Sequence, residues 1–304
     1  MSRQHHAAHV PASALLLVVC AVALFSLADA VAKYLSATQP VSLLVFARYV
    51  LQALAMIIAF GPRKRLGLVR TRQLKLHLLR GCLLLVCSVL FISALRWLPL
   101  ADATALNFTS PVLVVLMSMA LLNERLTRAR WAFVVAGFAG MLLIVRPGAG
   151  VLQGAALLAL GSAGFYALYQ TLTRKLRDED PLVLLFYPAL CGATLMTILL
   201  PFIDVPMNVT WAEFGLGCLF GTLATTGHFL FIVALRRAQA SALTPYTYVQ
   251  LIWATLLGWL WFGNFPNAYS LTGMAVIASS GLLLAWHERR RQFGATENIP
   301  VAAD

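Results

Sequence analysis

The sequence predicts an all-α integral membrane protein of ten transmembrane helices, arranged as two inverted five-helix repeats. Three observations predict it. Of its 304 residues, 61% are hydrophobic and only 11% are charged, against roughly 25% charged residues in a soluble domain. Apolar runs recur at about the 20 residues needed to cross some 30 Å of hydrocarbon. The Lys and Arg residues between those runs collect in alternate connections.

The first span runs from Ala14 to Leu35. Ala28-Asp29-Ala30 has the look of a signal cleavage site, but the run is long for a signal h-region and opens a series of similar spans, so it reads as a retained helix. Further spans are expected at Val41 to Phe60, Leu76 to Leu95, Asp102 to Leu122 and Trp131 to Val145. The second set covers Val151 to Leu172, Leu182 to Leu200, Trp211 to Leu235, Ser241 to Phe262 and Tyr269 to Trp286. Connections are short and marked by Gly, Pro or basic residues, so neighbouring helices pack antiparallel and no separate soluble domain is expected. The domains expected are a terminus at 1–12, repeats at 13–147 and 148–287, and a tail at 288–304.

A formal charge of +12 invites a nucleic-acid reading, which the placement of the charges excludes. One side of the bilayer collects Arg3, the cations from Arg63 to Lys75, Arg125, Arg128, Arg130, Arg174, Lys175, Arg177, Arg236, Arg237 and Arg289 to Arg291. The opposite side holds Arg96 and Arg146, while Lys33, Arg48 and Arg80 fall within spans. This asymmetry predicts both termini in the cytoplasm and a bacterial inner (plasma) membrane location. Basic loops also suit contact with anionic lipid. The five cysteines lie within apolar runs without a CxxC pair, and read as small buried hydrophobes rather than metal ligands.

The two halves resemble each other. Displaced by 140 residues, Phe25 to Leu35 falls on Phe165 to Lys175, and Ala94-Leu95-Arg96 falls on Ala234-Leu235-Arg236. Displaced by 141, Gly140 to Leu143 meets Gly281 to Leu284. Five spans per half is the informative count, because an odd number turns the second copy upside down, as in many secondary transporters.

Several stretches resemble the drug/metabolite transporter superfamily, in particular its ten-helix members with two EamA repeats. They are Phe46-Ala47-Arg48-Tyr49, the run Ala94 to Thr104 leading to Pro111, Leu121 to Thr127, Gly137 to Gly140, and Arg146-Pro147-Gly148. In the second half, Asn264 stands where such proteins usually carry Glu. The resemblance implies a carrier of small organic solutes working by alternating access. It also implies a central cavity lined by spans 1, 3, 4, 6, 8 and 9, and no cofactor.

Ions inside hydrocarbon are functional candidates by default. Asp29 and Arg48 share a depth of roughly 10 Å at 1.5 Å rise per residue. Asp29 is therefore expected to pair with Arg48, or with Lys33 one turn along its own helix, as a structural lock, an outer gate or a proton carrier. Tyr166, Tyr169 and Gln170 share one face of span 6, opposite Ser26, Asp29 and Ala30 in the pseudo-equivalent face of span 1. In span 4, Asn107, Thr109, Ser110 and Pro111 form a polar break. Span 9 opens with Thr244-Pro245-Tyr246-Thr247-Tyr248, followed by Gln250 and Trp253. Broken helices at corresponding places in both halves point to a binding site, whereas polar residues beside Pro also repair freed carbonyls. Asn107, Tyr246 and Gln250 favour binding, Ser110 fits either reading, and Tyr248 and Trp253 join the aromatic wall. His228 in span 8 reads either as a satisfied buried imidazole or as a titrating group. Glu124 reads as a helix-end anchor, and Gly161, Gly164, Gly217 and Gly221 as sites of close helix approach.

The expected partners are a small amphipathic solute, a coupling proton and membrane lipid, with the chain as monomer or homodimer. No metalloprotease, phosphate-loop or serine-elbow motif is present to support the alternative of a membrane enzyme acting on lipids. No ring of repeated polar residues supports a channel.

Overall fold

The computed structural model describes residues 11–122, 127–146, 151–176, 178–202, 209–238 and 240–297, and every regular element in them is helical. The first half contains α1 (Ala12–Leu35), α2 (Val41–Lys64), α3 (Leu74–Leu95), α4 (Leu100–Asn107), α5 (Ser110–Leu122) and α6 (Arg128–Val145). The second contains α7 (Val151–Lys175), α8 (Pro181–Leu199), α9 (Trp211–Arg237), α10 (Ala240–Thr247), α11 (Val249–Phe262) and α12 (Ala268–Glu297). Among the described residues, 8 helices are long and apolar enough to cross a membrane, the α4–α5 stretch counted as one, and Arg130–Val145 is a shorter apolar helix. The interrupted α10–α11 pair completes ten.

Local chemistry sets the ends of these helices. The Thr210 hydroxyl accepts from Glu213 N while Glu213 reaches back to Thr210, so α9 begins on a capping box. Asp180 accepts from Leu182 N, with Pro181 at the first position of α8. Gly263 adopts φ 66° and stops α11.

Packing between helices obeys the exchange of halves. The α1–α9 contact is mirrored by α7–α3, α2–α9 by α8–α3, and α1–α11 by α7–α5, while α2–α8 and α6–α12 are self-paired. The register is also reproduced. A Cβ on Gly81 would lie 2.5 Å from Cys191 Cβ, and one on Gly221 would lie 2.5 Å from Leu51 Cδ1. Adding 140 to 81 and subtracting it from 191 converts the first pair into the second. Small residues let backbones approach where lipid supplies no hydrophobic drive between helices.

The structure adjusts several expectations. Span 4 is interrupted at Phe108 and Thr109, and span 9 at Tyr248, so each is two short helices. α2 and α7 run past their expected ends, and α12 continues as helix to Glu297, into the segment expected to be a tail. Cys87 and Cys191 are buried, but Cys20 and Cys82 are exposed and Cys218 is half-buried, because their helices turn those positions outward. Gly221 packs closely and Gly161 touches Leu90, whereas Gly164 and Gly217 face open space. Glu124 lies outside the described residues.

Candidate functional site

Polar residues from both halves converge in the middle of the bundle. On α1, Ser26 Oγ donates to Gln250 O at 3.3 Å and Asp29 Oδ2 accepts from Gln250 Nε2 at 3.4 Å. Gln250 sits just after the Tyr248 interruption, so the break in span 9 delivers both its backbone and its amide to α1. Arg48, from α2, lies within electrostatic reach of Asp29, Cys87, Tyr166 and His228. These groups come from α1, α2, α3, α7 and α9. Asp29, Arg48, Tyr166 and His228 are half-buried within the bundle.

Further polar groups come from α7 and α4. Gln170 Nε2 donates to Tyr166 Oη at 3.2 Å, and the Tyr166 and Tyr169 rings stack at 5.9 Å. The Arg80 guanidinium stands 4.6 Å from the Tyr169 ring centroid and its Nε donates to Thr173 Oγ1 at 2.9 Å, so α3 packs against this group. At the break in span 4, Asn107 Oδ1 accepts from Ser162 Oγ at 3.5 Å. Ser162 also bonds Cys87 O, which joins α7 to α3. His228 Nδ1 meets Ala224 O at 2.8 Å, and its ring packs edge-on against Phe25 at 4.7 Å. The cluster therefore includes α2, which the expected cavity lining of spans 1, 3, 4, 6, 8 and 9 leaves out.

The expected ion pairs take another form. Among the described residues no ion pair joins Asp29 to Arg48 or to Lys33. Lys33 Nζ instead donates to Leu95 O at 2.8 Å and Leu98 O at 2.6 Å, and lies 5.5 Å from the Phe262 ring centroid. It caps the carbonyl end of α3, where orphan acceptors and the negative end of the helix dipole attract a cation. The Arg48 Nε is buried without a protein partner, so that guanidinium keeps a donor uncommitted.

Tyr248, Ser110, Tyr246 and Trp253 do not join the Asp29 group. Tyr248 is 6% exposed, its ring tilted against that of Phe108 at 5.0 Å. Ser110 is buried beside Thr109, whose hydroxyl repairs Leu106 O at 2.7 Å. Tyr246 and Trp253 are 37% and 36% exposed. The sequence places Arg80 within a span without a role, and does not single out Ser162. Arg80, a cation inside an apolar run, carried the signal, since such residues mark functional or structural polar contacts. Ser162 looks like any isolated polar residue in a span.

A polar cluster between two inverted five-helix halves, with Asn107 and Gln250 at the two helix breaks, fits a multi-pass membrane carrier. The pattern of the EamA-like transporter family matches residues 12–146 and again 153–286. The chain belongs to the EamA-like transporter family, whose members are transporters rather than enzymes. It is 32% identical to a riboflavin transporter of Rhizobium johnstonii over 247 residues, 78% of this chain and 80% of that protein. It is 28% identical to the pseudopaline exporter CntI of Pseudomonas aeruginosa over 275 residues, 90% of this chain and 96% of that protein. An S-adenosylmethionine uptake transporter of Rickettsia prowazekii is 24% identical over 272 residues, 87% of this chain and 90% of its own. A solved crystal structure with 22% identity shares the fold with a TM-score of 0.66, covering 90% of this chain and 99% of its own.

Proposed function

We propose that the protein is a secondary carrier that moves an amphipathic metabolite, such as an amino acid, a vitamin or a similar solute, by alternating access. In this reading the chamber of Asp29, Arg48, Asn107, Tyr166, Tyr169, Gln170, His228 and Gln250 is the substrate site. The observation that carries it is the meeting of a carboxylate, a guanidinium with an uncommitted Nε and a stacked tyrosine pair in the middle of the bundle. Arg48 takes the anionic group of the solute, the tyrosine faces take its flat or apolar part, and Gln250 and Asn107 fix its orientation. Asp29 takes a cationic group or a coupling proton. A solute that contacts both halves binds the two access states differently, and that difference in affinity is what shifts their populations.

The repeats at 13–147 and 148–287 are the two units that exchange access. Both termini lie in the cytoplasm of a bacterial inner membrane, in accord with the basic residues on that side. The relatives named as transporters of riboflavin, pseudopaline and S-adenosylmethionine support a small metabolite as the solute. The test is counterflow in proteoliposomes preloaded with riboflavin, S-adenosylmethionine or an aromatic amino acid. Saturable, self-inhibited exchange of one of them is expected. Non-saturable conductance in its place points to a channel, and no exchange of any probe removes the substrate class.

A further inference from the structure

A groove of about 390 Å³ runs between α2, α8 and α9, of which α2 and α8 lie outside the set of spans expected to line a cavity. Its walls are Met56, Ala59, Phe60, Leu185, Phe229 and Ile232, and its polar residues are Gln52, Arg63, Thr225 and Thr226. The polar residues have an order. Arg63 stands at the basic end of α2, and Gln52 lies eleven residues back, roughly 16 Å deeper at 1.5 Å per residue. Gln52 is one helical turn from Arg48, and Thr225 on α9 is three residues from His228, so both project along the helix faces that reach the chamber. The groove thus runs from Arg63 at the bundle's basic face to the buried Gln52, one helical turn short of Arg48.

The repeat supplies an internal control. Displacing the groove residues by 140 takes Leu185, Thr225, Ile232 and Met56 to Val45, Leu85, Ile92 and Met196, all of them in the main buried core. Gln52 goes to Gly192, where a Cβ would lie 2.5 Å from the Tyr49 ring. The Tyr49 hydroxyl is held in turn by Leu84 O and Ser88 Oγ, each at 2.9 Å. At these positions the matching surface beside α3 is packed, whereas the counterparts of Thr226 and Ala59, Val86 and Leu199, are exposed. In a carrier with two symmetry-related entrances, a groove on one side and packing at the matching positions on the other is the difference expected between its open and its closed side.

We propose that the α2–α8–α9 groove is the passage between the basic face and the chamber, admitting an amphipathic solute led by its anionic group, and that the Tyr49–Gly192 contact is the plug in the matching passage on the other side. Arg63 collects the anion at the mouth, the apolar walls carry the rest of the solute, and Gln52 hands it to Arg48. This rests on the carrier reading, but the following test uses no transport, so the two fail separately.

Gln52→Cys is introduced into the chain, and its reaction with an impermeant anionic methanethiosulfonate is measured from either face of membrane vesicles, as the increment over the parent. Thr226→Cys serves as a second reporter on α9. Reaction from the basic face is expected to be roughly tenfold faster than from the other face, a difference of about 1.4 kcal/mol in barrier. Ala59→Trp, which fills the groove, lowers that rate by a similar factor. Arg63→Glu slows the anionic reagent while sparing a cationic one. A rate unchanged by Ala59→Trp, or faster reaction from the opposite face, overturns the passage. Unreactive cysteines together with phospholipid retained in native mass spectrometry overturn it in favour of a bound bilayer lipid.

Discussion

The rings of Phe108 and Tyr248 meet at 5.0 Å with an interplanar angle of 40°, and the two residues are separated by the displacement that relates the repeats. A residue touching its own repeat counterpart lies on the pseudo-twofold axis. Both residues also sit at the interruptions of their spans, between α4 and α5 and between α10 and α11. The two helix breaks therefore meet at the centre of symmetry, and a solute beside them touches both halves. The Tyr248 hydroxyl is accommodated against Gly281 of α12, where a Cβ would collide with it.

This packing predicts a measurable coupling. Tyr248→Ala is expected to destabilise the folded protein by about 3–5 kcal/mol, in the range of aromatic truncations in a packed core. In a double-mutant cycle with Phe108→Ala, the pair should show a coupling of about 0.5–1.5 kcal/mol. Reversible denaturant unfolding in mixed micelles measures both. Strict additivity of the two truncations contradicts a direct contact across the axis.

The close helix crossings give a second prediction with an internal comparison. Alanine in place of glycine inside a helix gains about 1 kcal/mol of propensity, so only collision reverses the sign. At Gly81 the obstruction is the Cβ and Sγ of Cys191, with Pro188 Cα behind it, which are fixed close to the backbone. At Gly221 the nearest atom is the far end of the Leu51 side chain. Gly81→Ala is expected to lower stability by about 1–3 kcal/mol, and Gly221→Ala by less. Thermal midpoints of the purified variants in one detergent rank them, and the reverse order contradicts the repeat-related crossing.

Much of this architecture is legible in the sequence because the bilayer imposes it. Span length, the alternation of basic loops and the displacement between halves each leave a one-dimensional trace, and Pro111 and Pro245 mark the two interruptions. Partnerships across spans leave none. Lys33 follows Asp29 by one turn, which suggests a local pair, but its four-carbon stem reaches the end of α3 instead. Arg48 lies at Asp29's depth, yet its reach is shared among groups from several helices. Tyr248 and Gln250 are two residues apart in sequence, and the break between α10 and α11 sends one to Phe108 and the other to Asp29.

Lys33 supplies a third prediction. Its ammonium satisfies Leu95 O and Leu98 O, and removing a donor from buried carbonyls costs about 1–3 kcal/mol. Lys33→Met keeps the bulk of the stem and loses the donor. Lower thermal stability is expected, with an unchanged half-saturation concentration for whichever probe shows counterflow. A variant of wild-type stability whose half-saturation changes several-fold places Lys33 at the substrate instead.

Asp29 supplies the last. It is half-buried in the polar cluster, accepts a hydrogen bond from Gln250 and feels the charge of Arg48. Asp29→Asn keeps the shape and an acceptor for Gln250 but removes the negative charge. An ion in hydrocarbon is costly, so the variant should fold with unchanged or raised thermal stability. Counterflow of the transported probe should fall roughly tenfold, the effect of about 1.4 kcal/mol, if Asp29 holds the solute's cationic group. If Asp29 carries the coupling proton, pH-driven uptake disappears while exchange at equal pH on both sides persists, because exchange needs no net proton movement. Asp29→Glu, which retains the charge, should recover part of whichever activity is lost. Wild-type exchange together with wild-type pH-driven uptake in Asp29→Asn removes both roles and leaves the carboxylate as the hydrogen-bond link between α1 and α11.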